Sequence, residues 1–320
     1  MSTVEAGAAR GTPQRAGSGW GTHSGQPSLG TPRVETWRIV VTVAMTLLAI
    51  AAMFPFFWMI LTSFKSRAEI NLMPPSFFPQ EWLFENYVNA WMKPESTFGR
   101  YFWNTIVVAG LGTVIQLSVC IALAFSVSHF TYPGRELVFI LVLATMMIPY
   151  DVTLIPNFIT IRSFPLAGGN NLWGRGGQGF YDSYMGMMLP FFADGFTVFL
   201  LRQSFRTVPR DFWAAAQVDG MSNFGYLWRV LVPIAAPSVI TAALLSFIAK
   251  WNGVLWPLLI TSSEHLRPLQ VGLLYFISEE GHFYHHLMAA ATFTVLPIVA
   301  IYFLSSRSFN DAIAGSGIKG

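Results

Sequence analysis

The sequence predicts an all-α polytopic integral membrane protein of six transmembrane helices, with a helix-turn-helix on the cytoplasmic side between the fourth and fifth. Three observations carry that expectation. Hydrophobic residues make up 53% of the 320-residue chain and charged residues only 11%, whereas a soluble domain carries about 25% charged residues. The mean hydropathy is +0.49, more apolar surface than so few charges can cover in water. Finally, six apolar runs, at about 37–62, 103–127, 137–160, 184–203, 236–260 and 285–306, approach or exceed the ~20 residues that a helix needs to cross a bilayer. Lipid offers the backbone no hydrogen-bond partners, so these runs are helices or parts of a closed barrel. Their lack of strict alternation favours helices.

Residues 1–35 contain seven Gly, three Pro, four Ser and four Thr. Such a mixture buries too little to offset its ordering entropy and is expected to be a disordered cytoplasmic tail. The first run is too long, and begins too far in, for a signal-peptide core, and is read as an uncleaved span. Loops 63–102, 161–183 and 261–284, rich in Pro, Gly and aromatics, fall on one side. The turn 129–135 and the larger connection 204–235 fall on the other. With the N-terminus inside, eleven Lys and Arg lie inside and seven outside, Lys250 being within a span. That bias places both termini in the cytoplasm. Trp58, Trp103, Trp256, Tyr184 and Tyr302 fall toward run ends, as in an aromatic belt. The membrane domain is read as 36–310, followed by a cytoplasmic tail at 311–320.

Several function classes are excluded. Nineteen basic against sixteen acidic residues leave a formal charge of +3, too small to suggest nucleic acid as a partner. A single cysteine, Cys120, permits neither an intramolecular disulfide framework nor a cysteine zinc site. The chain has four lysines, Lys65, Lys93, Lys250 and Lys319. Only Lys65 precedes a Ser, and Phe64 stands where a phosphate-cradling loop requires Gly. The chain is therefore not expected to hydrolyse nucleotide or to hold a cofactor of its own. His282, His285 and His286, beside Glu279 and Glu280, read as an outer loop at a membrane interface rather than as a metal site.

Residues 207–233 are the informative segment. Pro209 and Asp211 suit the first turn of a helix, and Ala214, Ala215 and Ala216 favour its continuation. Gly220 can end it in the left-handed conformation. Ser222 can cap a second short helix running to Pro233. Phe224, Leu227, Trp228 and Leu231 are spaced as one apolar stripe. Such a stripe either covers the base of the chain's own bundle or docks a soluble partner; the pattern alone leaves both open.

Ala215-Ala216, two residues, Asp219-Gly220, nine residues and Val230-Leu-Val-Pro233 resemble the Glu-Ala-Ala loop of binding-protein-dependent ABC importer permeases. Thr62-Ser-Phe-Lys65, Asn104-Thr105, Tyr132-Pro-Gly-Arg135, Phe199-Leu-Leu-Arg-Gln203, Trp251-Asn252 and Leu255-Trp-Pro257 agree as well, so that the likeness covers about 37–320. The relative that this resemblance implies is the second permease of maltose- or glycerol-phosphate-type importers. The resemblance implies alternating access for a sugar, oligosaccharide or polyol derivative. It also implies a cytoplasmic ATPase dimer that binds the ATP, a second permease and an extracytoplasmic solute-binding protein. Contact with the ATPase would fall to Asp211, Ala215, Ala216, Asp219, Gly220, Phe224, Trp228 and Pro233. One position departs from the pattern: Ala214 stands where the family has Glu. Asp211, nearly one turn earlier, is the nearest carboxylate to replace it.

Asp151, Asp194 and Lys250 lie within apolar runs, at about 2.5–3.5 kcal/mol each for a central position. They read either as a structural ion pair or as a translocation path. Asn157, Trp251, Asn252 and Trp256 would complete that path with amides and ring faces for a sugar. The same three charges would serve an ion-coupled secondary transporter, the alternative reading. Pro149, Pro156, Pro190 and Pro257 are expected to interrupt spans. If the hairpin transmits work, Gly220→Val should abolish transport while leaving all spans inserted. Uptake by reconstituted vesicles, alongside membrane extraction of the variant, checks both halves of this expectation.

Overall fold

The computed structural model describes residues 32–92, 98–279 and 284–317, the side chains at 32–35, 275–279 and 304–317 aside. Of the predicted tail at 1–35, residues 1–31 lie outside the described residues, and 32–35 are not tail but the start of a helix. The chain separates into two units, Met1–Phe54 and Pro55–Gly320. The described part of the first is the beginning of helix α1 (Pro32–Ser63). There Trp37, Val40, Leu47, Leu48 and Met53 are all exposed, as suits side chains that face lipid.

The second unit is all-helical among the described residues. After α1 come two short helices, α2 (Arg67–Ile70) and α3 (Glu85–Met92). A long span follows, built from α4 (Phe98–Ile106), a π-helical segment (Val107–Leu111) and α5 (Gly112–His129). Next are α6 (Arg135–Thr145), α7 (Tyr150–Arg162), α8 (Tyr184–Met188) and α9 (Gly195–Thr207). The hairpin comprises α10 (Arg210–Val218), α11 (Asn223–Tyr226), a π-helical turn (Leu227–Leu231) and α12 (Val232–Ile234). The chain ends in α13 (Ala236–Trp251), α14 (Leu255–Ile260), α15 (Leu269–Glu279) and α16 (Tyr284–Gly317).

Among the described residues, three helices are long and apolar enough to cross a membrane unbroken, and three further pairs qualify only if each bent pair is one span. The bends are 102° between α6 and α7, 51° before α9 and 85° between the second hairpin arm and α13. Proline explains much of this. Pro149 sets the start of α7, and the residue before a proline is driven out of helical conformation. Pro237 occupies the first turn of α13, where its missing N–H costs nothing. Two proline expectations need correction. Pro156 lies inside a continuous α7, since one lost donor leaves the rest of the ladder intact. Pro257 lies within α14, and the break in the predicted run 236–260 comes earlier, at 252–254. The expected tail at 311–320 is helical as far as Gly317.

The hairpin reads out its sequence at the turn. Gly220 adopts φ +73°, Met221 N–H donates to Ala216 O at 2.9 Å and Gly220 N–H to Gln217 O at 3.0 Å. This pair of bonds closes a helix with a left-handed residue after its cap. No atom crowds a Cβ added at Gly220, so its constraint is conformational. Ser222 caps the second arm through Gly225 N–H at 3.1 Å. The single apolar stripe splits. Leu227 and Leu231 are buried, while Phe224 is 73% exposed and Trp228 38%. Leu227 and Leu231 form one edge of the stripe and pack into the bundle core, while Phe224 and Trp228 form the other edge and are left outside it.

The hairpin's buried face joins one core with Ile121, Ala124 and Phe125 of α5, Val198, Leu201 and Phe205 of α9, and Ala242 of α13. Near that end, Arg202 is 4% exposed. It donates from Nη2 to both oxygens of Glu136 at 2.9 and 2.8 Å and lies 3.7 Å from the Phe139 ring centroid. A planar guanidinium suits this double contact. At the opposite end, Asn104 donates to the carbonyls of His265 and Arg267, both at 2.9 Å, and accepts from Tyr184 Oη at 2.5 Å.

Asp182 ties the loop before α8 to the segment after α14. It accepts from the amides of Ser262 and Ser263 at 2.9 and 3.0 Å and from the Ser263 hydroxyl. Burial alone would raise its pKa, but these hydrogen bonds outweigh it and hold the carboxyl below its usual range. A depressed folded-state value gives stability that is complete above the unfolded pKa of about 4 and lost as pH falls through the folded value. Thermal midpoints measured from pH 6 down to pH 3 should therefore fall more steeply for the wild type than for Asp182→Asn.

Candidate functional site: a polar relay in the membrane cavity

A cavity of about 690 Å³ opens among α5, α9, α13 and α14. Its polar lining is Gln116, Asp194, Thr197, Ser246, Lys250 and Asn252, and Tyr150, Phe191, Phe196 and Trp256 contribute rings. All three charges that the sequence places inside apolar runs stand at helix breaks. Asp151 is in the first turn of α7 and Asp194 is the N-cap of α9. Lys250 is in the last turn of α13. Carboxylates at helix N-termini and an ammonium at a C-terminus each complement the helix dipole.

Asp194 Oδ2 accepts from Thr197 N–H at 2.8 Å and from Thr197 Oγ1 at 2.7 Å. Thr197 Oγ1 in turn accepts from Gln116 Nε2 at 3.4 Å. The other end of the same amide, Gln116 Oε1, accepts from Lys250 Nζ. A four-residue relay thus ties α13 to α5 to α9 across the cavity. Gly112 makes room for it, because a Cβ there would stand 3.2 Å from Lys250 Cδ and 3.3 Å from Cε. Among the described residues Asp194 and Lys250 form no direct ion pair; the neutral Gln116 and Thr197 bridge them.

The expected path residues are brought together in part. Asp194, Lys250, Asn252 and Trp256 line the cavity; Asp151, Asn157 and Trp251 do not. Trp251 is 1% exposed. It donates from Nε1 to Thr294 O at 3.1 Å and stacks 5.4 Å from Phe247, so it fastens α13 to α16. Asp151 is exposed at the start of α7, and its neighbour Tyr150 takes the cavity position. Sequence reasoning missed Gln116 and Thr197, since a neutral polar side chain in an apolar run carries no obvious cost. A lone Gln in the middle of a span was the available signal. His285 and His286 are buried in the first turn of α16 rather than displayed on a loop, and His282 lies outside the described residues.

On the hairpin, Asp211, Ala214, Ala215 and Asp219 are exposed, with Phe212, Val218, Phe224 and Trp228 beside them, whereas Ala216 is buried. A groove of about 470 Å³ runs between Gly220, Met221, Phe224 and Trp228.

The chain matches the family described as binding-protein-dependent transport system inner membrane components over residues 118–314. It belongs to this family. The permease is similar to the arabinooligosaccharides transport system permease protein AraQ of Bacillus subtilis strain 168, 29% identical over 295 residues that cover 91% of this chain and 99% of that one. It is similar also to the diacetylchitobiose uptake system permease protein NgcG of Streptomyces coelicolor, 29% identical over 286 residues, covering 89% and 85%. Its fold matches a chain of a bacterial ABC transporter involved in the import of the acidic polysaccharide alginate. The TM-score is 0.76 at 24% identity, over 87% of this chain and 98% of that chain. The protein is thus a cell-membrane permease subunit of an ABC importer and not an enzyme. Family membership decides against an ion-coupled secondary transporter.

Replacing Gln116 by Leu should strand the Lys250 ammonium at a cost of about 1.5–3 kcal/mol, the range for hydrogen bonds to charged groups. Adding Lys250→Met to that variant should recover most of the loss. Thermal unfolding of the two single variants and the double variant in detergent gives the coupling energy directly.

Proposed function

We propose that this permease imports a sugar, oligosaccharide or polyol derivative, with ATP split on a separate cytoplasmic ATPase dimer and a second permease completing the pathway. An extracytoplasmic solute-binding protein would deliver the solute to the loops at 63–102, 161–183 and 261–284. Both termini would be cytoplasmic. The observation that carries this reading is the hairpin: its inner face is built into the bundle, while Phe224, Trp228 and Val218 remain exposed around a rigidly closed turn. An apolar groove on a capped hairpin suits a helix or loop of a partner, and here that partner is the ATPase.

The solute class rests on the relatives' substrates and on the character of the cavity. Amide, hydroxyl and carboxylate groups supply hydrogen bonds to hydroxyls, and the rings of Tyr150 and Phe191 offer faces for a pyranose, with Trp256 beneath them in the wall. Asp194, Lys250, Asn252 and Trp256 are the residues we assign to the path in this chain. Asp211 is assigned to the ionic contact that Ala214 cannot make, since both are exposed and three residues apart on α10.

Affinity purification of the full complex in mild detergent tests the reading. An ATPase subunit should copurify with the wild type, and Phe224→Asp should reduce its recovery at least tenfold while leaving the permease in the membrane. Undiminished recovery would remove the hairpin as docking element.

A further inference from the structure

Beside its aliphatic core contacts, the hairpin is fastened to the bundle by a cluster of rings. Tyr226, at the end of α11, is 1% exposed. Its ring centroid lies 4.7 Å from that of Trp213 on α10, and 5.7 and 6.3 Å from His129 and Phe125 on α5. His129, the last residue of α5, is 5.5 Å from Trp213 and pairs through Nδ1 with Ser128 Oγ at 2.8 Å. One small junction therefore joins both arms of the hairpin to a single membrane helix.

Two features set this junction apart from ordinary core packing. The Tyr226 hydroxyl is buried and has no hydrogen-bond partner among the described residues. A buried donor left in that state is costly, so an arrangement that gave it a partner would compete with the one seen. In addition, π-helical turns lie on either side of the route. Leu227–Leu231 directly follows Tyr226, and Val107–Leu111 directly precedes α5. A π turn differs from an α turn by one change of hydrogen-bond partner, which makes such segments natural points of give, and they are frequent at functional sites.

We propose that Tyr226, Trp213 and His129 form a two-position joint that passes displacement of the hairpin into α5, making these three positioning residues for transport. Rings slide over one another without breaking hydrogen bonds, whereas α5 is an uninterrupted helix of 18 residues. Gln116 lies thirteen residues along it from His129, about 20 Å at 1.5 Å per residue. Motion at the joint thus reaches the amide on which Lys250 and Thr197 both depend. The proposal rests on the reading of the hairpin as the ATPase-coupling element and adds the route by which work leaves it.

The test uses the reconstituted full importer, with Ala249→Cys in a Cys120→Ala background reporting cavity access through maleimide alkylation. Tyr226→Phe removes the unpaired oxygen and should favour the arrangement seen here. The ATPase should still copurify, solute carried per ATP should fall several-fold, and the ATP-induced change in alkylation rate should shrink at least fivefold. His129→Ala should uncouple more strongly, and His129→Phe, which keeps a ring, should restore coupling. Wild-type transport and an unchanged ATP-induced alkylation response in Tyr226→Phe would overturn the joint, even if His129→Ala fails to fold. Absence of the ATPase from the purified wild-type complex would overturn the coupling reading and the joint with it. Retention of the ATPase with an unchanged alkylation response overturns the joint alone.

Discussion

A helix that breaks inside an apolar solvent exposes backbone donors or acceptors that no lipid can satisfy. This constraint organises the permease. Two of the spans that bend resume at α7 and α9, and each restart carries an aspartate. The cavity helix α13, ending before Asn252, carries Lys250 in its last turn. Charges that would be prohibitively placed in the middle of a lipid-facing helix become acceptable at helix ends, where the dipole favours them. The breaks thereby create a local setting in which ionisable groups can line a membrane cavity at modest cost.

The relay through Gln116 and Thr197 follows from that setting. Asp194 is committed to capping its own helix, and a neutral amide with one donor end and one acceptor end can link a carboxylate-bound hydroxyl to an ammonium. The outcome is a cavity wall whose polar groups are mutually held, yet whose members belong to three different helices. Relative movement of α5, α9 and α13 must change their pairing. Steric fit reinforces the register: without a side chain, Gly112 leaves the space on α5 that the Lys250 stem occupies.

The hairpin shows the division between local and tertiary causes most clearly. Its turn obeys local rules. Gly220 takes the left-handed conformation, the two closing bonds form, and Ser222 caps the second arm. Its faces are decided by tertiary contact, since the bundle takes one edge of the apolar stripe and leaves the other uncovered. Leu227 and Leu231 turn inward to meet α5 and α9, and Phe224 and Trp228 are left outside. One segment thus both covers the base of its own bundle and presents a surface, the two readings that its periodicity left open.

The sequence by itself determined the solvent in which this chain folds, the positions of the apolar runs to within a few residues, the hairpin with its turn, and the family. All of these depend on neighbours in the chain: run length, proline, caps and spacing. Tertiary structure alone decided where spans bend, that Trp251 turns from the cavity into packing against Phe247 and Thr294 O, and that Tyr150 rather than Asp151 lines the space. It also decided that Gln116 and Thr197, inconspicuous as single polar residues, bridge the two charges. The physical reason is range: a helix end or turn is settled by bonds a few residues apart, whereas Lys250 meets Gln116 across 134 residues of chain, and only the packing of three helices brings them within reach.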